Sequence, residues 1–296
     1  MTAVHPKKLR RFSAFDLCIA LFLLFVMFIT LYPFLHVLAV SLSDPYAVMK
    51  NEISIFPKGI NLEAYKAVAK TPSIWISYKN TILYTVTGTA INLALTTITA
   101  YALSKPKLYG RRFFSAFFVF TMFFSGGMIP SYMLVKDLHL IDTMWSVILP
   151  IAISTYNLMI MRTSFQAFPA ELEEAATVDG CNPIGILFRI VLPNSLPILM
   201  TIALYYSVTH WNAYFQPMLY LHTKDKFPLQ ILMQQILISG DTAFANASTS
   251  IDSSKLLISD TVKYAAIIVA VLPIVMIYPF IQKYFTKGVM LGAVKG

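Results

Sequence analysis

The sequence predicts an all-α, polytopic membrane protein, because its composition and its apolar pattern agree. Hydrophobic residues make up 57% of the 296 residues and charged residues 12%, about half the share that is usual in soluble proteins. The mean hydropathy is +0.67. Six apolar stretches are each long enough for a transmembrane helix, which needs about 20 residues to cross the hydrocarbon core.

The six predicted spans divide the chain into a tail at residues 1–12, a transmembrane domain at residues 13–282 and a tail at residues 283–296. They lie near residues 13–40, 74–104, 113–134, 143–161, 195–220 and 262–282. The basic start and apolar run of the first span also suit a signal peptide. The run from Leu17 to Val40 is longer than the about 7–15 residues of a signal-peptide core, so an uncleaved helix is favoured.

The distribution of Lys and Arg predicts that both termini lie in the cytoplasm. An even number of spans places both termini on one side, and short cytoplasmic loops carry an excess of basic residues. The segments that would then be cytoplasmic hold 13 of the 23 Lys and Arg residues and are residues 1–12, 105–112, 162–194 and 283–296. The net charge of +9 is therefore interpreted as topology and as attraction to anionic lipid.

The sequence lacks the motifs of an enzyme or of a nucleic-acid-binding protein. Neither His-Glu-x-x-His nor Gly-x-Ser-x-Gly nor a Walker A segment occurs, so no catalytic residue is expected and any ATP would be bound by a partner. No soluble stretch is long enough for a basic nucleic-acid-binding domain. Cys18 and Cys181 fall in different segments, so neither a disulfide nor a metal site is expected.

Turn and helix signals mark the segments outside the spans. Asn61 predicts the start of a short amphipathic helix over residues 62–69. The outer loop 221–261 is the longest extramembrane stretch and suits contact with a folded partner. Breaks in the spans are predicted at Pro33, at Ser125-Gly126-Gly127 with Pro130, at Pro273 and at Pro279. Such breaks line a cavity in some membrane proteins, but Pro and Gly are also common in ordinary transmembrane helices.

The polar insert at residues 162–194 predicts two short helices joined by a turn. Pro169 suits the first position of a helix that ends at Gly180, which is expected to be left-handed. Asn182 predicts the start of a second helix, from Ile184 to Val191, that stops at the following Leu-Pro pair. One arc of the first helix is predicted to form a flat surface and carries Phe168, Leu172, Ala175, Ala176 and Asp179. The insert could dock a partner or could merely connect two spans.

The insert also carries a sequence signature, which reads Glu174-Ala175-Ala176, then Gly180, then Ile190-x-Leu192-Pro193. It resembles Glu-Ala-Ala-x3-Gly-x9-Ile-x-Leu-Pro, the signature of the membrane subunits of binding-protein-dependent ABC importers, with every fixed position filled. Elsewhere the chain is similar to the carbohydrate-uptake branch of that family, to the smaller maltose-importer permease and to permeases for oligosaccharides or uronate sugars. The matching segments include Met128-Ile129-Pro130, Trp211-Asn212 and the tail from Gln282.

The resemblance implies an ATP-driven importer of type I architecture in the bacterial plasma membrane. The working unit would contain a second homologous permease, two ABC ATPase subunits that bind ATP and magnesium, and an extracytoplasmic sugar-binding protein that touches the loop 221–261. The first helix of the insert would be the coupling helix that docks into an ATPase. Its contact residues would be Leu172, Glu174, Ala175, Ala176, Asp179 and Gly180, and the residues that fix the insert against the spans would be Ile190, Leu192 and Pro193.

Two other kinds of membrane protein are alternatives. A stand-alone secondary carrier usually buries titratable groups at membrane depth, and the predicted span interiors hold almost none. The main deep polar side chain in the second span is Asn92, which suits either an interhelical hydrogen bond or a substrate contact. Trp211 and Asn212, near the end of the fifth span, are further substrate-path candidates. A membrane scaffold with a cytoplasmic docking hairpin would also carry a polar insert.

Overall fold

The computed structural model describes residues 14–239, 261–276 and 279, and within these residues all regular structure is helical. The predicted all-α class is confirmed for this part of the chain. The helices are α1 (Ala14–Ser41), α2 (Pro45–Met49), α3 (Glu63–Lys70), α4 (Pro72–Ser104), α5 (Arg111–Phe123), α6 (Met128–Asp137), α7 (Met144–Ile148), α8 (Thr155–Gln166), α9 (Ala170–Val178), α10 (Pro183–Asn194), α11 (Leu196–Trp211), α12 (Phe215–Tyr220), α13 (Leu229–Ser239) and α14 (Thr261–Met276). Both predicted tails and the second half of the loop 221–261 lie outside the described residues.

Two helices, α1 with 28 residues and α4 with 33, are each long and apolar enough to cross a membrane. Three further helix pairs are long and apolar enough to cross a membrane only when the two helices of a pair are counted together. Each pair is bent at a short break, by 116° between α5 and α6, by 53° between α7 and α8 and by 87° between α10 and α11. The described residues therefore contain two spans by length, or up to five if each bent pair counts as one. The shorter apolar helix α14 covers part of the sixth predicted span.

The predicted breaks are only partly correct. α5 ends at Phe123, and Gly127 with φ +87° precedes α6, which confirms the break at the Ser-Gly-Gly segment. The interruptions at Pro33 and Pro273 are wrong, since α1 and α14 continue through these residues. A transmembrane helix tolerates the hydrogen bond lost at a proline when its neighbourhood satisfies the freed carbonyl.

Two spans predicted as single helices are interrupted in the structure. The span over 143–161 contains a 3-10 turn at Leu149–Ile151 that includes Pro150, whose missing N–H weakens a helix at this point. The span over 195–220 ends its first helix at Trp211, and α12 follows after a short break. Continuous apolarity hides such breaks, because it reports the environment and not the backbone.

The described residues divide into two compact units, which are residues 14–68 with 261–268 and residues 69–239 with 269–276 and 279. In the first unit, Ala39 and Val40 at the end of α1 pack against Ile53. The amphipathic helix predicted over residues 62–69 is confirmed as α3, and Asn61 caps it by accepting a hydrogen bond from the Glu63 N–H at 2.8 Å. Nearly all of α1 before residue 36 is exposed, so its apolar surface is free for lipid or a partner.

The second unit is built around α4, which packs against α8 and α11. Its hydrophobic core combines buried side chains from these three helices with side chains from the insert. They are Ala100, Tyr101, Leu103, Leu158, Met161, Phe165, Ala176, Ile186, Leu187, Val191, Ile202 and Tyr206. The insert is thus fixed to the same core as the long helices.

Candidate functional site

The first helix of the insert, α9, ends in the left-handed turn that the sequence predicts. Gly180 has φ +79°, which confirms the prediction. Its N–H donates to the Thr177 carbonyl at 3.1 Å, and the Cys181 N–H donates to the Ala176 carbonyl at 2.9 Å. This pair of hydrogen bonds is the Schellman motif, in which glycine is favoured because it lacks a Cβ. α9 begins one residue later than predicted, with Pro169 as its N-cap.

The second helix of the insert, α10, starts with the predicted cap. The Asn182 side-chain oxygen accepts a hydrogen bond from the Gly185 N–H at 2.7 Å. α10 ends at Asn194, one residue beyond the predicted stop at Leu192-Pro193, and then bends into α11. A π-helical turn at Leu187–Val191 precedes the proline, and such turns accommodate a locally altered hydrogen-bond pattern.

The two alanines of the signature lie in different environments. Ala176 is 5% exposed and belongs to the hydrophobic core, where Phe165 and Leu187 are also buried. Ala175 is exposed, as is Leu172 at 48%. The predicted flat surface therefore includes Ala175 but not Ala176, which attaches α9 to the rest of the unit.

The outward face of α9 and its C-terminal turn combine apolar and acidic side chains. This face, which we call the α9 face, consists of Glu171, Leu172, Glu174, Ala175, Val178 and Asp179, all exposed. Val178 is 88% exposed and is not among the contact residues expected from the sequence. A surface on which apolar and acidic side chains alternate suits a partner whose groove is lined by apolar and basic residues.

The remaining signature residues support the hairpin formed by α9 and α10. Ile190 and Leu192 are partly buried and pack against the core that contains Val191. Pro193 is exposed. The Asn194 side-chain amide donates to the Ile190 carbonyl at 2.7 Å, which ties the end of α10 to its preceding turn. The roles expected for these residues in coupling stay predictions.

An ion pair that the sequence did not reveal links the hairpin to α4. Lys105, directly after α4, bonds the Glu173 carboxylate of α9, and its ammonium lies 4.1 Å from the centre of the Tyr101 ring. Both charged side chains are less than one third exposed. In the sequence, Lys105 indicates only membrane topology, because a partner 68 residues away leaves no local pattern.

Asn92 forms the interhelical hydrogen bond that was one of its two interpretations. Its side-chain nitrogen donates to the Ile151 carbonyl at 3.1 Å and lies 3.1 Å from Nε2 of His210 in α11. Asn92 and His210 are both buried. Gly88, one turn earlier on α4, leaves the space that the His210 ring fills. These residues form a polar joint between α4, α11 and the 3-10 turn.

The other two substrate-path candidates lie at the end of α11, directly after His210, and their part in a substrate path stays a prediction. Trp211 is 7% exposed, and its ring meets the edge of Tyr78 at 6.2 Å between ring centres. Asn212 is exposed at the end of α11. No group of three or more metal-ligating side chains occurs within the described residues, where Cys18 and Cys181 are free thiols.

Known proteins similar to this chain include membrane components of transport systems. Residues 9–291 match the family described as "Binding-protein-dependent transport system inner membrane component". The polygalacturonan/rhamnogalacturonan transport system permease protein YtcP of Bacillus subtilis (strain 168) is 43% identical over 282 residues, which cover 95% of this chain and 98% of that protein. Protein LplC of the same organism is 43% identical over 293 residues, covering 99% and 98%. A chain of a bacterial ABC transporter involved in the import of the acidic polysaccharide alginate superposes with a TM-score of 0.85 and 33% identity, covering 96% of this chain and all of that one.

Proposed function

This chain belongs to the family of binding-protein-dependent transport system inner membrane components, and from that membership we propose that it is a permease subunit of an ATP-driven sugar importer. Together with a second permease it forms the translocation path for an oligosaccharide that a solute-binding protein delivers. The single observation that carries the proposal is the hairpin, which is fixed to the core by Ala176 and exposes the α9 face.

The proposed topology has six spans with both termini in the cytoplasm. α1 and α4 each supply one span, the three bent pairs supply three, and α14 belongs to the sixth. The excess of Lys and Arg in the segments assigned to the cytoplasm supports this orientation. The hairpin then lies on the cytoplasmic side, where ATPase subunits operate.

In the proposed mechanism, the hairpin transmits movement of an ATPase partner to the spans. The partner binds ATP and magnesium and closes on nucleotide, moving the α9 face with it. Because Ala176 lies in the core and Glu173 is paired with Lys105, a displacement of α9 acts directly on α4 and its neighbours. The permease pair then faces outward and receives the sugar, and ATP hydrolysis resets it.

The proposed cargo is an acidic oligosaccharide. Two relatives support this class, since one is named for polygalacturonan and rhamnogalacturonan and another takes part in import of the acidic polysaccharide alginate. Lysines in the segments assigned to the outer side agree with an anionic cargo; they are Lys50, Lys66, Lys70 and Lys224, together with Lys58 and Lys226, which already pair with Glu52 and Asp142.

The test is affinity purification of the tagged chain from its native membranes in a mild detergent, followed by mass spectrometry of the co-purifying proteins. We expect a P-loop ATPase and a second permease. In Ala175→Trp, the bulky side chain should block the α9 face, so that recovery of the ATPase falls about tenfold or more while the second permease is retained. Ala175→Ser is the control and should recover both.

Two results would contradict the proposal. Purification of the chain without an ATPase, even after cross-linking, would favour a stand-alone carrier. Equal recovery of the ATPase with Ala175→Trp and Ala175→Ser would remove the α9 face as the docking surface. The folding of each variant is checked by a monodisperse peak in size-exclusion chromatography.

A further inference from the structure

The segment that joins α12 to α13 is attached to the rest of its unit through its backbone. Within residues 220–229, which we call the platform, carbonyl and N–H groups form hydrogen bonds with side chains of α4 or with Asp142. These groups belong to Tyr220, His222, Thr223, Asp225, Lys226, Phe227 and Leu229. A segment whose main chain is bonded at so many positions has a fixed shape.

Two side chains of α4 bind three consecutive carbonyl groups of the platform. The Asn80 amide nitrogen donates to the Asp225 carbonyl at 2.7 Å and to the Phe227 carbonyl at 3.2 Å. The Tyr84 hydroxyl donates to the Lys226 carbonyl at 2.9 Å. Residues four positions apart lie on one face of a helix, so one face of α4 holds this part of the platform.

Thr81, on the same turn of α4, caps the helix that follows the platform. Its hydroxyl oxygen accepts a hydrogen bond from the N–H of Leu229, the first residue of α13, at 2.7 Å. The first N–H groups of a helix have no partner within that helix, and a residue just before the helix usually bonds them. Here the bond comes from a residue 148 positions earlier, and both residues are buried. The start of α13 is therefore fixed to α4 where water does not compete.

Asp142 holds the first half of the platform. Its N–H donates to the Tyr220 carbonyl at 2.9 Å, and its carboxylate accepts hydrogen bonds from the N–H groups of His222 and Thr223. Asp142 has φ +58°, a left-handed conformation that residues other than glycine keep where the surrounding contacts require it. The platform is thus bonded to α4 on one side and to the turn before α7 on the other.

α4 connects the platform with the coupling hairpin. It is one uninterrupted helix of 33 residues. The 25 positions from Asn80 to Lys105 correspond to about 38 Å at about 1.5 Å per residue. Directly after the helix, Lys105 bonds the Glu173 carboxylate of α9. Rigid secondary elements of this kind carry energetic coupling between distant sites when both sites are bonded to them.

We propose that Asn80 and Tyr84 are positioning residues that couple the platform to α4, so that movement of the coupling hairpin changes the platform. The inference rests on the proposed function, which places the platform on the outer side and the hairpin in the cytoplasm. The platform is then part of the surface that meets the sugar-binding protein, and its exposed residues are His222, Thr223, Lys224 and Asp225. Because coupling between two sites is reciprocal, a protein docked on the platform acts on the hairpin by the same route.

Hydrogen–deuterium exchange followed by mass spectrometry measures this coupling without a known sugar. The tagged full-length chain is purified together with its ATPase partner and placed in lipid nanodiscs. Exchange is compared in the absence of nucleotide and in the presence of ATP, Mg²⁺ and vanadate, which traps the ATPase. In wild type, the exchange rates of amides in the platform and in α9 should each differ about fivefold or more between the two states.

The double variant Asn80→Asp/Tyr84→Phe removes the hydrogen bonds from α4 to the three carbonyl groups. Asn80→Asp keeps the shape of the side chain but replaces the donor by a carboxylate that repels carbonyl oxygens, and Tyr84→Phe removes only the hydroxyl. The difference between the two states at the platform should fall below about twofold, while the difference at α9 is retained. A merely structural role would raise exchange at the platform in both states and leave their difference unchanged.

The double variant Asn61→Asp/Tyr78→Phe is the matched control. The Asn61 side chain already accepts a hydrogen bond, from the Glu63 N–H, so the carboxylate keeps that contact. The Tyr78 hydroxyl also belongs to α4, but it donates to the Val269 carbonyl and not to the platform. This variant carries the same two chemical changes and should keep the difference seen in wild type.

Two results would overturn the coupling through Asn80 and Tyr84. One is a wild-type platform whose exchange does not change with nucleotide although that of α9 does. The other is an undiminished change at the platform in Asn80→Asp/Tyr84→Phe. A preparation without an ATPase, or one in which α9 itself does not respond to nucleotide, would contradict the proposed function and with it the inference that rests on it.

Discussion

The hairpin of α9 and α10 and the polar joint between α4 and α11 are built by different means. In the hairpin, the cap of Asn182 and the turn at Gly180 are made by residues no more than five positions apart. In the joint, Asn92 meets His210 across 118 residues of sequence. The first region is an exposed surface with locally encoded shape, and the second is a buried contact that exists only when the helices pack.

This difference predicts how each region responds to mutation. A change in the hairpin should alter docking or coupling and leave the fold intact, because the affected side chains are exposed and their hydrogen bonds are local. A change in the joint should alter the packing of the whole second unit, because the buried side chains have no alternative partner. Three substitutions test this contrast.

Gly88→Ala should have the largest effect, because the joint has no room for it. A Cβ at this position would lie 2.5 Å from both Cε1 and Nε2 of the His210 ring. We expect a loss of about 1–3 kcal/mol in the free energy of unfolding, visible as a lower midpoint in thermal unfolding of the detergent-solubilised protein.

Gly88→Ala should cost less free energy of unfolding when it is added to His210→Ala than when it is added to wild type, because the ring that collides with the new Cβ has then been removed. Gly126→Ala is the control, because its added Cβ would meet its nearest neighbour at an ordinary 3.8 Å. Equal destabilisation by Gly88→Ala in the presence and absence of the ring would show that the contact with His210 does not limit this site.

Gly180→Val should have a smaller effect on stability and a large one on function. Nothing lies within 4 Å of a Cβ at Gly180, so the cost is confined to the backbone, where φ +79° is unfavourable for a branched residue by about 1–2 kcal/mol. The turn between α9 and α10 should shift, so that ATP hydrolysis by the assembled importer continues while uptake is lost.

Gly180→Asn separates the backbone effect from side-chain bulk, because asparagine enters the left-handed region more readily than valine. Sugar uptake and ATP hydrolysis are measured together in vesicles for both variants. Wild-type uptake by Gly180→Val, or equal loss in Gly180→Asn and Gly180→Val, would contradict the role assigned to this turn.

The same contrast explains what the sequence could and could not predict. The helix class and the two ends of the hairpin follow from composition, Gly180 and Asn182, since apolar stretches, caps and turns depend on neighbouring residues. The partner of Lys105, the inward direction of Ala176 and the contact of Gly88 with His210 depend on which helices pack together. The breaks at Leu149–Ile151 and after Trp211 were also missed, because continuous apolarity does not report the backbone. The breaks expected at Pro33 and Pro273 do not occur, because a proline weakens a helix but does not decide whether the helix ends there.

Asp142 tests whether burial or sequence separation determines how much stability is lost when a long-range contact is broken. Its partners are distant in sequence but lie near the surface. Its carboxylate accepts hydrogen bonds from the backbone N–H groups of His222 and Thr223, at 3.0 Å each, and from the ammonium of Lys226 at 2.7 Å. The Lys226 side chain is 44% exposed, so solvent screens the ion pair and its contribution should be small, about 0–1 kcal/mol.

The pH dependence of Asp142→Asn follows from the same contacts. The hydrogen bonds from Lys226, Thr223 and His222 lower the pKa of Asp142 below its ordinary value of 3.8. A carboxylate whose pKa is lower in the folded state than in the unfolded state stabilises the fold at every pH above the unfolded-state pKa. This contribution is lost as the pH falls through the folded-state pKa. The difference in thermal midpoint between wild type and Asp142→Asn should therefore be small and constant from neutral pH down to about 4 and shrink below that. A loss as large as that of Gly88→Ala would show that separation along the chain, and not burial, determines the cost of breaking a long-range contact in this protein.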